Sequence, residues 1–209
     1  MASMKMACRG AALAVIVLGS GCSWFHHSKP DTQAADAGAT APSDAALAIG
    51  APTPPESVEM KTATTLVTDF YEMRARLGRT GLPNENDMNA YRAFLCPPLA
   101  AAMDAARVRQ KLYIDEHPDD KPPLIEGDLF SSLFEGTDVV TPAGTEVNGD
   151  TATVTLSMRF GEGDQATRWK DKVLLAKDQG SWCIADVEYH GDWPFANKGS
   201  LAKSLAEPL

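Results

Sequence analysis

Thr151-Ala-Thr-Val-Thr-Leu-Ser-Met-Arg-Phe160 alternates without interruption. Ala152, Val154, Leu156, Met158 and Phe160 fall on one side, and Thr151, Thr153, Thr155, Ser157 and Arg159 on the other. Successive side chains of a strand point to opposite faces, so a period of two predicts a half-buried antiparallel strand. Asn148-Gly149-Asp150 before it and Gly161-Glu-Gly-Asp164 after it are turn sequences. The stretch reads as the central strand of a single folded domain.

Three further strand signals surround it, at Thr137 to Val147, Thr167 to Lys177 and Trp182 to Tyr189. The last two are joined by the short turn Asp178-Gln-Gly-Ser181. Upstream the period changes. From Glu59 to Leu77 the apolar residues Ala63, Leu66, Phe70, Met73 and Leu77 recur at helical spacing, with Asp69, Glu72, Arg74 and Arg76 largely off that stripe. Gly78 supplies the stop. A second, short helix is expected with Asn86 or Asp87 as its cap and Met88, Tyr91, Phe94 and Leu95 apolar, ended by Pro97-Pro98. Pro98 then opens a third helix, Leu99 to about His117, with Leu99, Met103, Ala106, Gln110 and Tyr113 or Ile114 inward. Leu124 to Gly136 mixes apolar and turn residues and predicts a helical turn or irregular packing. Helices first and a meander afterwards give an α+β fold, three helices on one face of a curved antiparallel four-stranded sheet. The domain is expected at 58–190, with 191–209 a tail that frays or forms a short helix around Leu201 to Leu205.

The chain has 209 residues and a formal net charge of −9. Lys5 and Arg9 are the only charges in the first 21 residues, and 19 basic residues less these two leave 17 against 28 acidic. An acidic chain with no grouped Lys and Arg is a poor nucleic-acid binder, because phosphate neutralisation needs clustered cations.

Residues 1–21 read as a secretory signal. Lys5 and Arg9 form the positive n-region, and the apolar run Ala11 to Leu18 is too short to cross a bilayer as a helix. The segment ends Leu18-Gly-Ser-Gly-Cys22, which resembles the bacterial lipobox, with Leu18 one step earlier than the usual aliphatic position. The resemblance implies lipidation at Cys22. With Ser23 next, it implies sorting to the inner leaflet of the outer membrane, facing the periplasm. Residues 22–57 are rich in Ala, Pro, Thr, Asp and Gly and lack apolar periodicity, so they read as a disordered tether. Some 35 coil residues reach roughly 30–35 Å. His26 and His27 in this tract read as solvated.

The element order and the closing strand Ser181-Trp-Cys-Ile-Ala-Asp-Val-Glu-Tyr189 resemble the cone-shaped, nuclear-transport-factor-2-like fold. Asp69-Phe-Tyr71, Tyr91-Arg-Ala-Phe-Leu95 followed by Pro98-Leu-Ala100, and that last strand resemble the YbjP-like envelope lipoproteins, a family carried as a domain of unknown function. The resemblance spans roughly Val58 to Tyr189. It implies a tethered periplasmic accessory domain with an envelope protein as partner. Its motifs are structural, so it carries no catalytic residues over.

The candidate chemistry is sparse. Outside the leader the cysteines are Cys96 and Cys183. Export places them in an oxidising compartment, where a bridge or two separate core thiols are the alternatives. Enzymes of the cone fold place an acid, a base and a Tyr inside the cone, and Tyr71, Asp186, Tyr189 and His190 are the residues that would line such a cavity here. The bland reading makes Tyr71 part of a core stripe, Asp186 part of a strand pattern and His190 solvated. The acidic run Asp115, Glu116, Asp119, Asp120, Glu126 and Asp128 lacks the spacing of a calcium loop and reads as solvated. No nucleophile elbow, phosphate loop or metal-binding helix motif occurs, so no metal or cofactor is expected.

Two functional classes follow. One is a non-catalytic anchored binding or accessory module, a version of which is an immunity protein neutralising a delivered toxin. The other is a small-ligand carrier, isomerase or hydrolase using the cavity. For the first class the candidate docking face is the polar side of the opening strand, Thr151, Thr153, Thr155, Ser157 and Arg159.

Overall fold

Ser57 starts the first helix, its side chain accepting a hydrogen bond from Met60 N at 3.1 Å. In the computed structural model, which describes residues 57–78 and 80–208, helix α1 spans Val58–Leu77, α2 Glu85–Arg92 and α3 Pro97–Glu116. Strands β1 (Val139–Asn148), β2 (Thr151–Phe160), β3 (Thr167–Asp178) and β4 (Ser181–Glu188) follow, and then a short helix α4, Leu201–Ala206. The four strands form one sheet in the order β1-β2-β3-β4, every pair antiparallel. This is the expected α+β fold, with helices preceding the sheet.

The opening stretch is β2, with the bounds its alternation predicts. Ala152, Val154, Leu156 and Met158 are buried against Val67, Phe70 and Tyr71 of α1 and their neighbours in one core cluster. A fully buried side chain of this size contributes about 1.5–3 kcal/mol, so this row and the facing helix stripe are enough to fix the register. The β3–β4 turn places Gln179 at φ 49° and Gly180 at φ 83°. Two consecutive left-handed residues match the right-handed twist of the flanking strands.

Several details differ from the sequence reading. The buried stripe of α1 is Ala63, Val67, Phe70, Tyr71, Met73 and Arg74. It is rotated by about one residue, leaving Leu66 half-buried and Leu77 exposed. Helix α2 is capped by Asn84, whose Oδ1 accepts from Asp87 N at 2.9 Å, rather than by Asn86 or Asp87. It ends at Arg92, before the prolines. Phe94 to Cys96 then leaves the helix and pairs with β4: Ile184 N donates to Phe94 O and Cys96 N donates to Ile184 O, both at 2.8 Å. Pro97, not Pro98, opens α3. On α3 the inward residues are Leu99, Ala100, Met103 and Ala106, while Gln110 is half-buried and Ile114 exposed.

Strand β4 carries a bulge. Leu174 pairs with Asp186 and Leu175 with Ile184, so Ala185 is an extra residue. Ile184 and Val187, three apart, therefore both reach the core with no exposed surface. The segment after β4 is no frayed tail. Tyr189 N donates to Gly199 O at 3.1 Å, and Leu201 and Leu205 of α4 are buried in the main core. The folded domain thus extends past residue 190 through α4.

Candidate functional site

Tyr71 on α1 and Tyr189 just beyond β4 are brought together, although by an unforeseen route. Tyr71 Oη donates to Phe130 O at 2.8 Å, and Tyr189 Oη donates to Leu129 O at 2.6 Å. Two helix-to-sheet distant tyrosines thereby clamp adjacent carbonyls of one irregular segment, Gly127 to Thr137. Burial raises the pKa of both hydroxyls, and of Tyr91 beside them.

Two buried carboxylates hold the same segment. Asp128 Oδ1 accepts from Arg74 Nη2 at 2.6 Å and from Phe130 N at 2.8 Å. The Arg74 guanidinium lies 4.3 Å from the Phe130 ring centroid and 5.6 Å from that of Tyr71. Burial works against its charge, but the Asp128 carboxylate offsets this and raises the Arg74 pKa. Arg74 Nε and Nη1 and Asp128 Oδ2 are buried without partners. Asp171 on β3 is fully buried. Its Oδ2 accepts from Ser132 N at 2.8 Å and Trp169 Nε1 at 3.0 Å. Its Oδ1 accepts from His190 N at 2.9 Å and from the Ser132 hydroxyl.

Neither Asp128 nor Asp171 stands out in a motif search. Asp171 had a readable signal, because period two puts it on the inward face between Trp169 and Val173. Asp128 sits in the acidic run expected to be solvated, and Arg74 was expected off the apolar stripe. Both placements are corrected here: each charge is buried because the other is there to pair with it.

The other cavity candidates separate. Asp186 Oδ1 accepts from Ala202 N at 2.9 Å and Val187 N at 2.8 Å, so it caps the start of α4. The exposed His190 ring lies 3.3 Å from Glu188. Asp186, Tyr189 and His190 line a shallow groove of about 390 Å³ beside Ser200 and Lys203. Tyr71 instead lines a crevice of about 170 Å³ between α1 and β1, with Glu72, Asp138 and Leu156. Asp186, Tyr189 and His190 thus share one groove while Tyr71 stands apart in the other, so the four do not converge on one cavity.

Cys96 and Cys183 are brought together, with Cα atoms 4.9 Å apart and sulfurs 2.05 Å apart. Cys96 is the residue before α3 rather than the end of α2, and the pairing of Phe94 to Cys96 along β4 delivers it to Cys183. The pair is placed to form a disulfide.

On the candidate docking face, Thr151 and Ser157 are exposed and Thr153, Thr155 and Arg159 half-buried. The register adds what β2 alone hides. Arg159 stands directly opposite Arg168, Ser157 opposite Lys170 and Thr155 opposite Lys172. The face, which shows a single arginine in β2 alone, carries a ladder of cations along β3, flanked by Glu188 opposite Lys172 and by Glu162 and Asp164 in the β2–β3 turn.

Cys22, His26 and His27 lie outside the described residues. Among the described residues no helix is long and apolar enough to cross a membrane, and no group of three or more His, Cys, Asp or Glu residues is placed to hold a metal ion.

No family model matches the chain, and no curated protein matches it. Among solved structures it is similar to the solution structure of a SEC-C motif containing protein from Rhodopseudomonas palustris. The two share 15% identity over 60% of this chain and 77% of that one, with a TM-score of 0.35.

Proposed function

We propose that the chain is a lipid-anchored bacterial envelope protein whose periplasmic domain is a non-catalytic binding or accessory module. The observation that carries this reading is how the cavity candidates are spent. Both tyrosine hydroxyls donate to backbone carbonyls, and Asp186 accepts from the start of α4. A general acid or base needs a proton free to move toward a substrate, and these groups are committed to holding the fold. Recognition by a surface is then the better use of the domain.

The leader supports the anchoring half. A short apolar run, small residues, one cysteine and then a Pro- and Ala-rich tract fit a lipidated N-terminus on a tether. Several acyl chains are needed for stable anchoring, which the lipoprotein pattern implies. The similarity of Asp69-Phe-Tyr71 and the last strand to the YbjP-like lipoproteins points the same way. The outward sheet face, with Thr153 and Thr155 beside the β3 cations, is the candidate docking surface for an envelope protein.

The experiment has two arms. Fractionation of cells carrying Cys22→Ser should move the protein from membranes to the soluble periplasm, and unchanged partitioning would sink the anchor. Cross-linking in intact cells should capture an envelope protein with the parent chain. Thr153→Glu with Thr155→Glu should abolish that capture while the melting temperature holds. Capture unaffected by the pair would remove the sheet face from the reading.

A further inference from the structure

The outward face of the sheet carries cations without partners. Arg159 on β2 stands directly opposite Arg168 on β3, and Ser157 opposite Lys170. Cross-strand neighbours lie about 5 Å apart and alternate residues of a strand about 7 Å apart, so three positive charges share one small patch. On the helices the cations meet carboxylates: Arg92 and Arg107 at Asp104, and Lys111 at Asp115. Among the described residues, no carboxylate lies within the 4.0 Å of an ion pair from Arg159, Arg168 or Lys170. Glu188, opposite the next cation Lys172, reaches the His190 ring at 3.3 Å instead.

This arrangement works against the fold. Like charges directly opposite on neighbouring strands are destabilising, and Arg159 with Arg168 is such a pair. The neighbouring Thr155 and Ser157 show that the same face accepts short neutral side chains. A locally unfavourable pair of cations, on a chain whose net charge is −9, is what a surface shaped by binding rather than by folding carries. Arg159 is also ordered in advance, because its Nη1 donates to Gly161 O at 2.8 Å. Less side-chain freedom is then lost when a partner engages it.

We infer that Arg159, Arg168 and Lys170 receive an acidic surface of a partner protein, one that presents two or more carboxylates together. The two guanidinium groups offer planar forks that match carboxylates, and the ammonium of Lys170 offers a point charge. Such complementarity speeds encounter and excludes basic partners. An anionic membrane fits less well. Val139, 38% exposed opposite Arg159, borders the patch, and a single valine does not supply the apolar area that membrane insertion needs. This inference rests on the reading of the sheet face as a docking surface but not on the lipid anchor.

The test uses the chain carrying Cys22→Ser, purified without lipid and held at low ionic strength. The probes are fluorescein-labelled poly-glutamate and vesicles of phosphatidylglycerol with phosphatidylethanolamine. Net charge alone sets this acidic chain against poly-glutamate, so binding there reports the patch. The chain should bind poly-glutamate, and Arg168→Gln with Lys170→Gln should weaken that binding by about tenfold or more. Lys61→Gln with Lys111→Gln, the same change of charge on the helices, should leave it in place. Arg168→Thr should weaken binding and yet raise the melting temperature by about 1–3 °C, because it relieves the opposed pair. No binding to poly-glutamate, equal loss in the two double variants, or a lower melting temperature in Arg168→Thr would overturn the proposal. Vesicle binding, or self-association in the ultracentrifuge, that Arg168→Gln with Lys170→Gln abolishes would overturn it too, in favour of lipid or of a second copy. Failure here while Thr153→Glu with Thr155→Glu still abolishes cross-linking in cells removes the acidic partner and leaves the docking face.

Discussion

Arg74 and Asp128 meet at 2.6 Å with side chains 2% and 1% exposed, an ion pair wholly inside the core. It joins α1 to the irregular segment that two tyrosines also hold. Removing one partner leaves an uncompensated buried charge, which costs about 3–5 kcal/mol. Arg74→Met should lower the urea midpoint accordingly, and Asp128→Asn should do the same. The double variant Arg74→Met with Asp128→Leu should recover much of the loss. Additive losses in the double variant would show that the two residues stabilise the domain independently.

Alkaline pH should unfold the domain through its tyrosines. Tyr71, Tyr91 and Tyr189 all have folded pKa values above their ordinary value, chiefly from burial. The unfolded groups titrate near 10. Their contribution is therefore complete below about pH 10 and is lost as pH rises toward the folded values. Each group can steepen the fall by up to about 1.4 kcal/mol per pH unit. Tyr71→Phe with Tyr189→Phe should lose about 1 kcal/mol per hydrogen bond at neutral pH but decline less steeply above pH 10. Chemical denaturation at a series of pH values checks this, and an unchanged slope would contradict it.

Bonding of Cys96 to Cys183, 87 positions apart, should stabilise the domain by about 4–5 kcal/mol, through the lower entropy of the unfolded chain. Under denaturing alkylation the chain carrying Cys22→Ser, freed of its leader, should label no thiol until reductant is added. Reduction should then lower the melting temperature by roughly ten to twenty degrees, at about 2–4 °C per kcal/mol for a domain of this size. Two labelled cysteines without reductant would show separate thiols.

Asp186 should matter for α4 rather than for catalysis. Asp186→Ala removes the acceptor for Ala202 N and should cost about 1 kcal/mol, the usual loss for a helix cap. Hydrogen exchange should speed up selectively in Leu201 to Ala206. Uniform acceleration across the sheet would mean that Asp186 supports the whole domain.

The residues that could be read from sequence and those that could not differ in a physical way. The irregularity between β1 and β2 lies on β1, where Ala143 is the extra residue between Pro142 and Gly144, so the period of two survives in Ala152 to Met158. Strand β4 was visible as a strand, but the extra residue Ala185 breaks its alternation, so Cys183, Ile184 and Val187 are all buried and Asp186 meets the start of α4. Nothing local announces a bulge of this kind. Arg74 occupies a core position of α1 only because Asp128, 54 residues away, arrives to pair with it. Periodicity has no access to a partner at that distance. The cations of β3 become a ladder beside β2 only when the register sets Arg168 opposite Arg159.

The link between Cys96 and Cys183 also bears on how the domain takes load. Tension drawn through the chain ahead of Ser57 enters at the start of α1. With the bridge closed and the load leaving through α4, α3 and strands β1 to β3 lie off the path that carries the force. Their 87 positions represent about 300 Å of contour length that pulling cannot release. Drawn out between Ser57 and α4, the domain would lengthen only through the segments outside the bridged loop.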